Sequence, residues 1–119
     1  MSAYQPHIVA APNEYKIPFP VHVFISKVQF CRETGSRLLA ASGWDGTVHI
    51  YGLGSLGHAE EKRFYFHGKS VLSCTFAGSN KIASGGLDQV VKLVDIETGR
   101  GTTYTINYIY YNDNKILLF

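Results

Sequence analysis

The feature that most limits what this chain can fold into is a segment that occurs twice. Ala40 to Tyr51 reads AASGWDGTVHIY, and Ala83 to Val94 reads ASGGLDQVVKLV. An offset of 43 residues lays Gly43 on Gly86, Asp45 on Asp88, Val48 on Val91 and Ile50 on Leu93. Upstream, the apolar spacing of Ile25, Val28 and Phe30 returns at Val71, Cys74 and Phe76 with an offset of 46. A self-similar period in the low forties is that of propeller blades, each a sheet of four strands. A single blade cannot bury its own apolar faces, so the repeat implies stacking of neighbours. The expected fold is therefore all-β, a propeller fragment of about two blades plus a partial strand or stub.

Short runs rich in β-branched and aromatic residues, broken by Gly, Asn, Asp and Ser, fit this reading better than any helical period. Glu14 to Ile17 suggests an edge strand, stopped by Pro18 and Pro20. Strands are expected at Ser26 to Phe30, Arg37 to Ala41, Thr47 to Tyr51 and Lys62 to Phe66, with Asp45-Gly46 as a hairpin turn and 52–58 as a Gly-rich loop. The second blade repeats the order at Val71 to Phe76, Lys81 to Ser84, Val90 to Val94 and Thr102 to Thr105. The expected organisation is thus a flexible N-terminus over 1–13, a repeat region over 14–103 (blade one about 22–66, blade two about 67–105), and a divergent tail over 104–119. That tail, YTINYIYYNDNKILLF, lacks Gly, Ala, Ser, Pro and Arg. Asn114-Lys115-Ile116 echoes Asn80-Lys81-Ile82, as the start of a third blade would. Its residues are also nearly all encoded by A/T-rich codons, which fits translation past a splice site or a frame shift.

Composition sets limits on function. The chain has 119 residues, 45% hydrophobic and 17% charged, with a net charge of +2. That balance belongs to a folded chain, and its scattered Lys and Arg form no footprint for nucleic acid. No apolar stretch reaches membrane-spanning length, and the N-terminus does not read as a secretory signal. Cys31 and Cys74 fall in strand-like segments and read as reduced, buried small hydrophobes of a cytosolic or nuclear protein. None of the five histidines forms a metal-binding pair, and no zinc site is expected. The glycines at 52, 54 and 57 follow a strand, but no helix pattern opens after them, so a dinucleotide loop is not expected. No cofactor and no small-molecule substrate is implied.

Blades of the WD-repeat class carry a hydrogen-bonded relay of Asp, His, Ser or Thr, and Trp. The second repeat resembles it with Asp88, His67 and Ser84, His67 standing four residues before Val71. Val94 occupies the Trp position, so the relay ends early. The first repeat keeps Asp45 in the turn but has Ala41 and Tyr51 at the Ser and Trp positions, and His22 is one residue out of register. The same residue types occur in hydrolase triads. Here they fit a structural network, because no nucleophile elbow accompanies them. Trp44-Asp45 looks like the dipeptide that names the repeat, yet by register that dipeptide lies at Tyr51-Gly52 and Val94-Asp95. Trp44 instead falls in a turn on a propeller face. There it either anchors a partner, as Trp does in interface hot spots, or covers a neighbouring blade.

The strings SGWDGTVHIY at 42–51, HGKSVLSCTF at 67–76 and SGGLDQVVKLVDIETG at 84–99 resemble the first two blades of the Bub-class mitotic checkpoint WD-repeat proteins. The resemblance covers about residues 14–100, and Ser-Gly-Gly-Leu-Asp at 84–88 is its most specific piece. It implies a non-enzymatic adaptor with a seven-bladed ring. It also implies that this adaptor binds a short motif, GLEBS, on checkpoint kinases and helps place them at kinetochores, in the nucleus and also in the cytoplasm. Trp44 matches the family's turn tryptophan on the peptide-binding face, and Glu14 to Ile17 matches its opening strand, which closes the ring against the last blade. The basic residues that grip the motif's acidic side chains belong to later blades. The related Rae-class mRNA export adaptors, at the nuclear pore, share the fold and the mode of peptide binding and form the alternative, beside a generic WD-repeat scaffold.

Overall fold

A computed structural model describes residues 14–54, 57–107, 109–112 and 115–118. Its strands are β1 (Ile25–Phe30), β2 (Leu38–Gly43), β3 (Thr47–Leu53), β4 (Ala59–Phe66), β5 (Val71–Phe76), β6 (Lys81–Gly86), β7 (Val90–Asp95), β8 (Gly101–Thr105), β9 (Ile109–Asn112) and β10 (Lys115–Leu118). Among the described residues there is no helix. β1 to β4 form one antiparallel meander and β5 to β8 a second, each with its strands in sequence order. These are two propeller blades. β9 and β10 pair with each other as a separate hairpin.

Alternation along the strands decides which side chains meet between the blades. On β3, Val48 and Ile50 point one way, and Thr47, His49 and Tyr51 the other. Val48, Ile50 and Ala40 of blade one pack with Val71, Cys74, Ile82, Val94 and Ile96 of blade two in one continuous core. Val48, Ile50, Val71 and Ile82 are wholly buried there. Burial of side chains this size stabilises by about 1.5–3 kcal/mol each, so the blade boundary is the main apolar core. Cys31 and Cys74 are both free and buried. Burial pushes the Cys74 thiol up, against a smaller opposing pull from the Ser42 hydroxyl.

The opposite face of blade one carries Leu39, Ala41 and Tyr51, and Ile17 and Phe19 pack against it. The Tyr51 hydroxyl donates to the Pro18 carbonyl at 2.7 Å, and Phe19 meets His49 edge-on at 5.2 Å. Glu14 to Ile17, expected as an edge strand, is not one. Among the described residues its β-pairing is one isolated parallel bridge, from Lys16 to His58. Pro18 and Pro20 lack N–H donors and cannot extend a ladder. The segment straps blade one by side-chain packing instead.

The loop expected over 52–58 is shorter than that. β3 runs on to Leu53, β4 starts at Ala59, and Gly54 N–H donates to the His58 carbonyl. Of the expected tail, Tyr104 and Thr105 belong to β8. The expected flexible N-terminus over 1–13 lies outside the described residues.

Candidate partner-binding face

The two β-turns at one end of the blades, between β2 and β3 and between β6 and β7, hold the residues of interest. Trp44 sits in the first turn with 56% of its surface exposed, and Leu87 sits in the second with 55%. Backbone bonds fix both. Trp44 N–H donates to the Phe24 carbonyl at 2.9 Å, and Leu87 N–H donates to the Ser70 carbonyl at 2.9 Å. The Phe24 ring, itself exposed, lies 5.5 Å from the Trp44 ring and tilted against it. A tryptophan that stays in water while its backbone is held in place loses little further freedom when a ligand docks.

The linker from β4 to β5, residues 67–70, runs between the turns and is bonded to each. His67 N–H donates to the Gly46 carbonyl at 2.7 Å, and the Ser70 hydroxyl donates to the Trp44 carbonyl at 2.6 Å. Two glycines permit the approach. Gly46 has φ +89°, and a Cβ there would stand 3.0 Å from the His67 carbonyl oxygen. A Cβ at Gly86 would stand 2.6 Å from the Ser70 carbonyl oxygen.

The structure brings His67, Ser84 and Asp88 together beneath this linker. The carboxylate of Asp88 can only accept, so His67 Nδ1–H donates to it, at 3.1 and 3.3 Å to its two oxygens. The other ring nitrogen, Nε2, then accepts from the Ser84 hydroxyl at 2.7 Å. Asp88 also accepts from the Gly68 and Val90 amides. Burial alone would raise its carboxyl. The His67 ring and the two amides outweigh that and hold it below its ordinary range.

The relay does not end at Ser84. The Tyr65 hydroxyl, from β4 of blade one, stands 2.5 Å from Ser84 Oγ. Burial pushes the Tyr65 phenol up to about 12, the bond to Ser84 opposing the rise and Cys74 adding to it. Tyr65 thus supplies the partner for Ser84 that Val94 cannot, and it does so from the neighbouring blade. The expectation of a shortened relay is corrected at this point: strand alternation turns Tyr65 toward the blade boundary, beside Val48 across the ladder.

Blade one carries a different set. Asp45 Oδ1 accepts from the Thr47 amide at 3.1 Å and contacts the Thr47 hydroxyl at 2.5 Å. His49 Nε2 lies 3.1 Å from that hydroxyl, and Nδ1 pairs with Glu61. A register shift between Ile50 and Tyr51 sets Glu61 opposite Tyr51, on the same face as His49. No hydrogen bond joins Asp45 to His22 among the described residues. His22 stands in a turn with φ 65°. Ala41 offers no hydroxyl, and Ser42 next to it bonds Ser26 at 2.8 Å. Among the described residues no cluster of His, Cys, Asp and Glu could hold a metal ion.

Comparison with known proteins bears on this geometry. The family described as "WD domain, G-beta repeat" matches residues 59–95, which run from β4 to the end of β7. Over 103 residues the chain is 65% identical to the mitotic checkpoint protein bub-3 of Caenorhabditis elegans, covering 86% of this chain and 30% of that protein. The chain is a WD-repeat protein of the Bub class. This Bub-class chain is also 41% identical over 89 residues to the Poly(A)+ RNA export protein of Schizosaccharomyces pombe, covering 74% of the chain and 25% of the relative. It is 36% identical over 63 residues to the WD40 repeat protein poxJ of Penicillium oxalicum, with 52% and 18% covered. The Bub-class chain therefore spans less than a third of the curated relatives it matches.

Sequence reading had not identified Tyr65, Phe24 or Ser70 as parts of this face, nor the pair His49 and Glu61. Tyr65 stands two residues before His67, so alternation puts both on one side of the chain. That signal was present, but not the identity of the partner across the blade boundary.

Proposed function

We propose that this chain supplies the first two blades of a non-enzymatic adaptor of the mitotic spindle checkpoint. The adaptor binds GLEBS-type peptide motifs of checkpoint kinases and acts in the nucleus and at kinetochores. Trp44 is the peptide contact that these two blades contribute. One observation carries the reading: Trp44 is exposed in a turn whose backbone is bonded to Phe24 and Ser70. A core tryptophan would be buried, whereas Trp44 is 56% exposed. Identity to bub-3 supports the checkpoint assignment.

The second reading is an mRNA export adaptor, favoured by the weaker identity to the Poly(A)+ RNA export protein. Titration with a GLEBS peptide from a checkpoint kinase, beside one from a nuclear pore protein, separates them. The checkpoint reading expects the kinase peptide to bind more tightly. Trp44→Ala should weaken that binding by about 2 kcal/mol, some thirtyfold, as loss of a hot spot does. Its melting temperature should hardly move. A large fall in melting temperature with peptide affinity unchanged would make Trp44 a structural residue.

A further inference from the structure

We infer that Tyr65 is a positioning residue for the binding face, and that it acts by locking the two turns to one another across the blade boundary. The chain of contacts is continuous. Tyr65 Oη meets Ser84 Oγ at 2.5 Å, Ser84 Oγ meets His67 Nε2 at 2.7 Å, and His67 Nδ1 meets Asp88. Proton directions along it are set from one end. Asp88 accepts, so His67 donates from Nδ1 and accepts at Nε2, Ser84 donates to Nε2, and the remaining lone pairs of Ser84 take the Tyr65 proton. Each hydroxyl has a defined role, and the phenol terminates the chain with a donor, as an indole N–H would.

The consequence reaches the surface through His67. Its ring belongs to the relay and its amide holds the Gly46 carbonyl. Three residues on, Ser70 holds the Trp44 carbonyl by its side chain and the Leu87 amide by its backbone. Tyr65 comes from blade one and Ser84 from blade two, so the relay spans the joint that would otherwise let the turns shift relative to each other. Trp44 and Leu87 become one face with a fixed spacing. The locking rests on geometry alone, and its use for ligand binding rests on the proposed role of Trp44. On the proposed role of Trp44, the peptide that docks there meets two exposed apolar side chains, Trp44 and Leu87, on one face.

Amide hydrogen exchange on the chain and its Tyr65→Phe variant tests the locking without any ligand. Removing the phenol should speed exchange at the His67 and Leu87 amides about five- to tenfold, as expected where one hydrogen bond limits local opening. Ile96, whose amide bonds Asn80 in a different loop, should exchange at its former rate. Ser84→Ala should reproduce the pattern, and the double variant should add nothing further, since both cut one chain. Equal acceleration at all three amides would mean that Tyr65 merely stabilises the fold. No acceleration at His67 and Leu87 would overturn the proposal outright. If exchange behaves as expected but Leu87→Ser leaves kinase-peptide affinity unchanged, the two-turn footprint is wrong and the locking stands.

Discussion

Replacing Asp88 by alanine should destabilise the second blade by about 2–3 kcal/mol, and most of that loss should come from one atom. Asp88 accepts from His67 Nδ1, Gly68 N and Val90 N. Gly68 is exposed, so water can replace the carboxylate there. The His67 side chain is fully buried, and its Nδ1–H would be left without a partner. Hydrogen bonds to a charged group contribute about 1.5–3 kcal/mol, and an orphaned buried donor costs about as much. Val90, half-buried, adds a smaller amount.

With a urea slope of about 1–3 kcal/mol/M, the midpoint should fall by about 0.7–3 M. Trp44, the chain's one tryptophan, gives the fluorescence signal. Asp88→Asn keeps a carbonyl acceptor for His67 and should lose about half as much. The pH profile gives a second reading. The Asp88 carboxyl is held below its ordinary range, so its contribution is complete at neutral pH and is lost as pH falls below about 4. The alanine variant should lack that part of the acid limb. Equal midpoints and equal acid limbs for parent and variant would refute the relay as a stabilising network.

Other outcomes follow from the same geometry. Gly46→Ala should cost about 2 kcal/mol, read as a fall in thermal midpoint, because φ +89° strains an L side chain and a Cβ would crowd the His67 and Lys69 carbonyls at 3.0 and 3.1 Å. Burial, with Glu61 adding to it at Tyr51 and Ser84 opposing it at Tyr65, pushes both phenols up to about 12. The contribution of these two phenols should therefore be complete below pH 10 and lost between about 10 and 12, with both titrating late by ultraviolet absorbance. Simple titration of every tyrosine near 10 would count against the burial of both. Val28, Phe30, Phe64 and Phe66 are half-exposed on the outer face of blade one. The chain should bind a hydrophobic dye there and self-associate, and Phe64→Ser with Phe66→Ser should reduce both.

The blades were legible in the sequence because their strands obey a period of two and their turns carry Asp at a fixed offset. Seven of the eight blade strands begin within one residue of their expected starts; β4 begins three residues early, at Ala59, where the chain could already pair with Leu53. Glu14 to Ile17 falls short of a strand because, among the described residues, its β-pairing is the single Lys16–His58 bridge, and Pro18 and Pro20 prevent it from extending. His67, Ser84 and Asp88 were legible because the repeat gives each a register position. Tyr65 was not, since its partner Ser84 is 19 residues away and across a blade boundary that no local pattern marks. The Glu61 contact depended on a bulge, which shifts a strand by one residue without a clear mark in the sequence.

Emission from Trp44 during titration with a checkpoint-kinase GLEBS peptide tests the account most directly, because the chain holds no other tryptophan to obscure it. The ring is more than half in water in the free chain. Saturable binding should shift its emission to shorter wavelength and protect it from an aqueous quencher, with a nuclear pore peptide producing a weaker response at the same concentration. A peptide that binds by calorimetry while Trp44 emission and quenching stay unchanged would place the interaction elsewhere and contradict the assignment of this face.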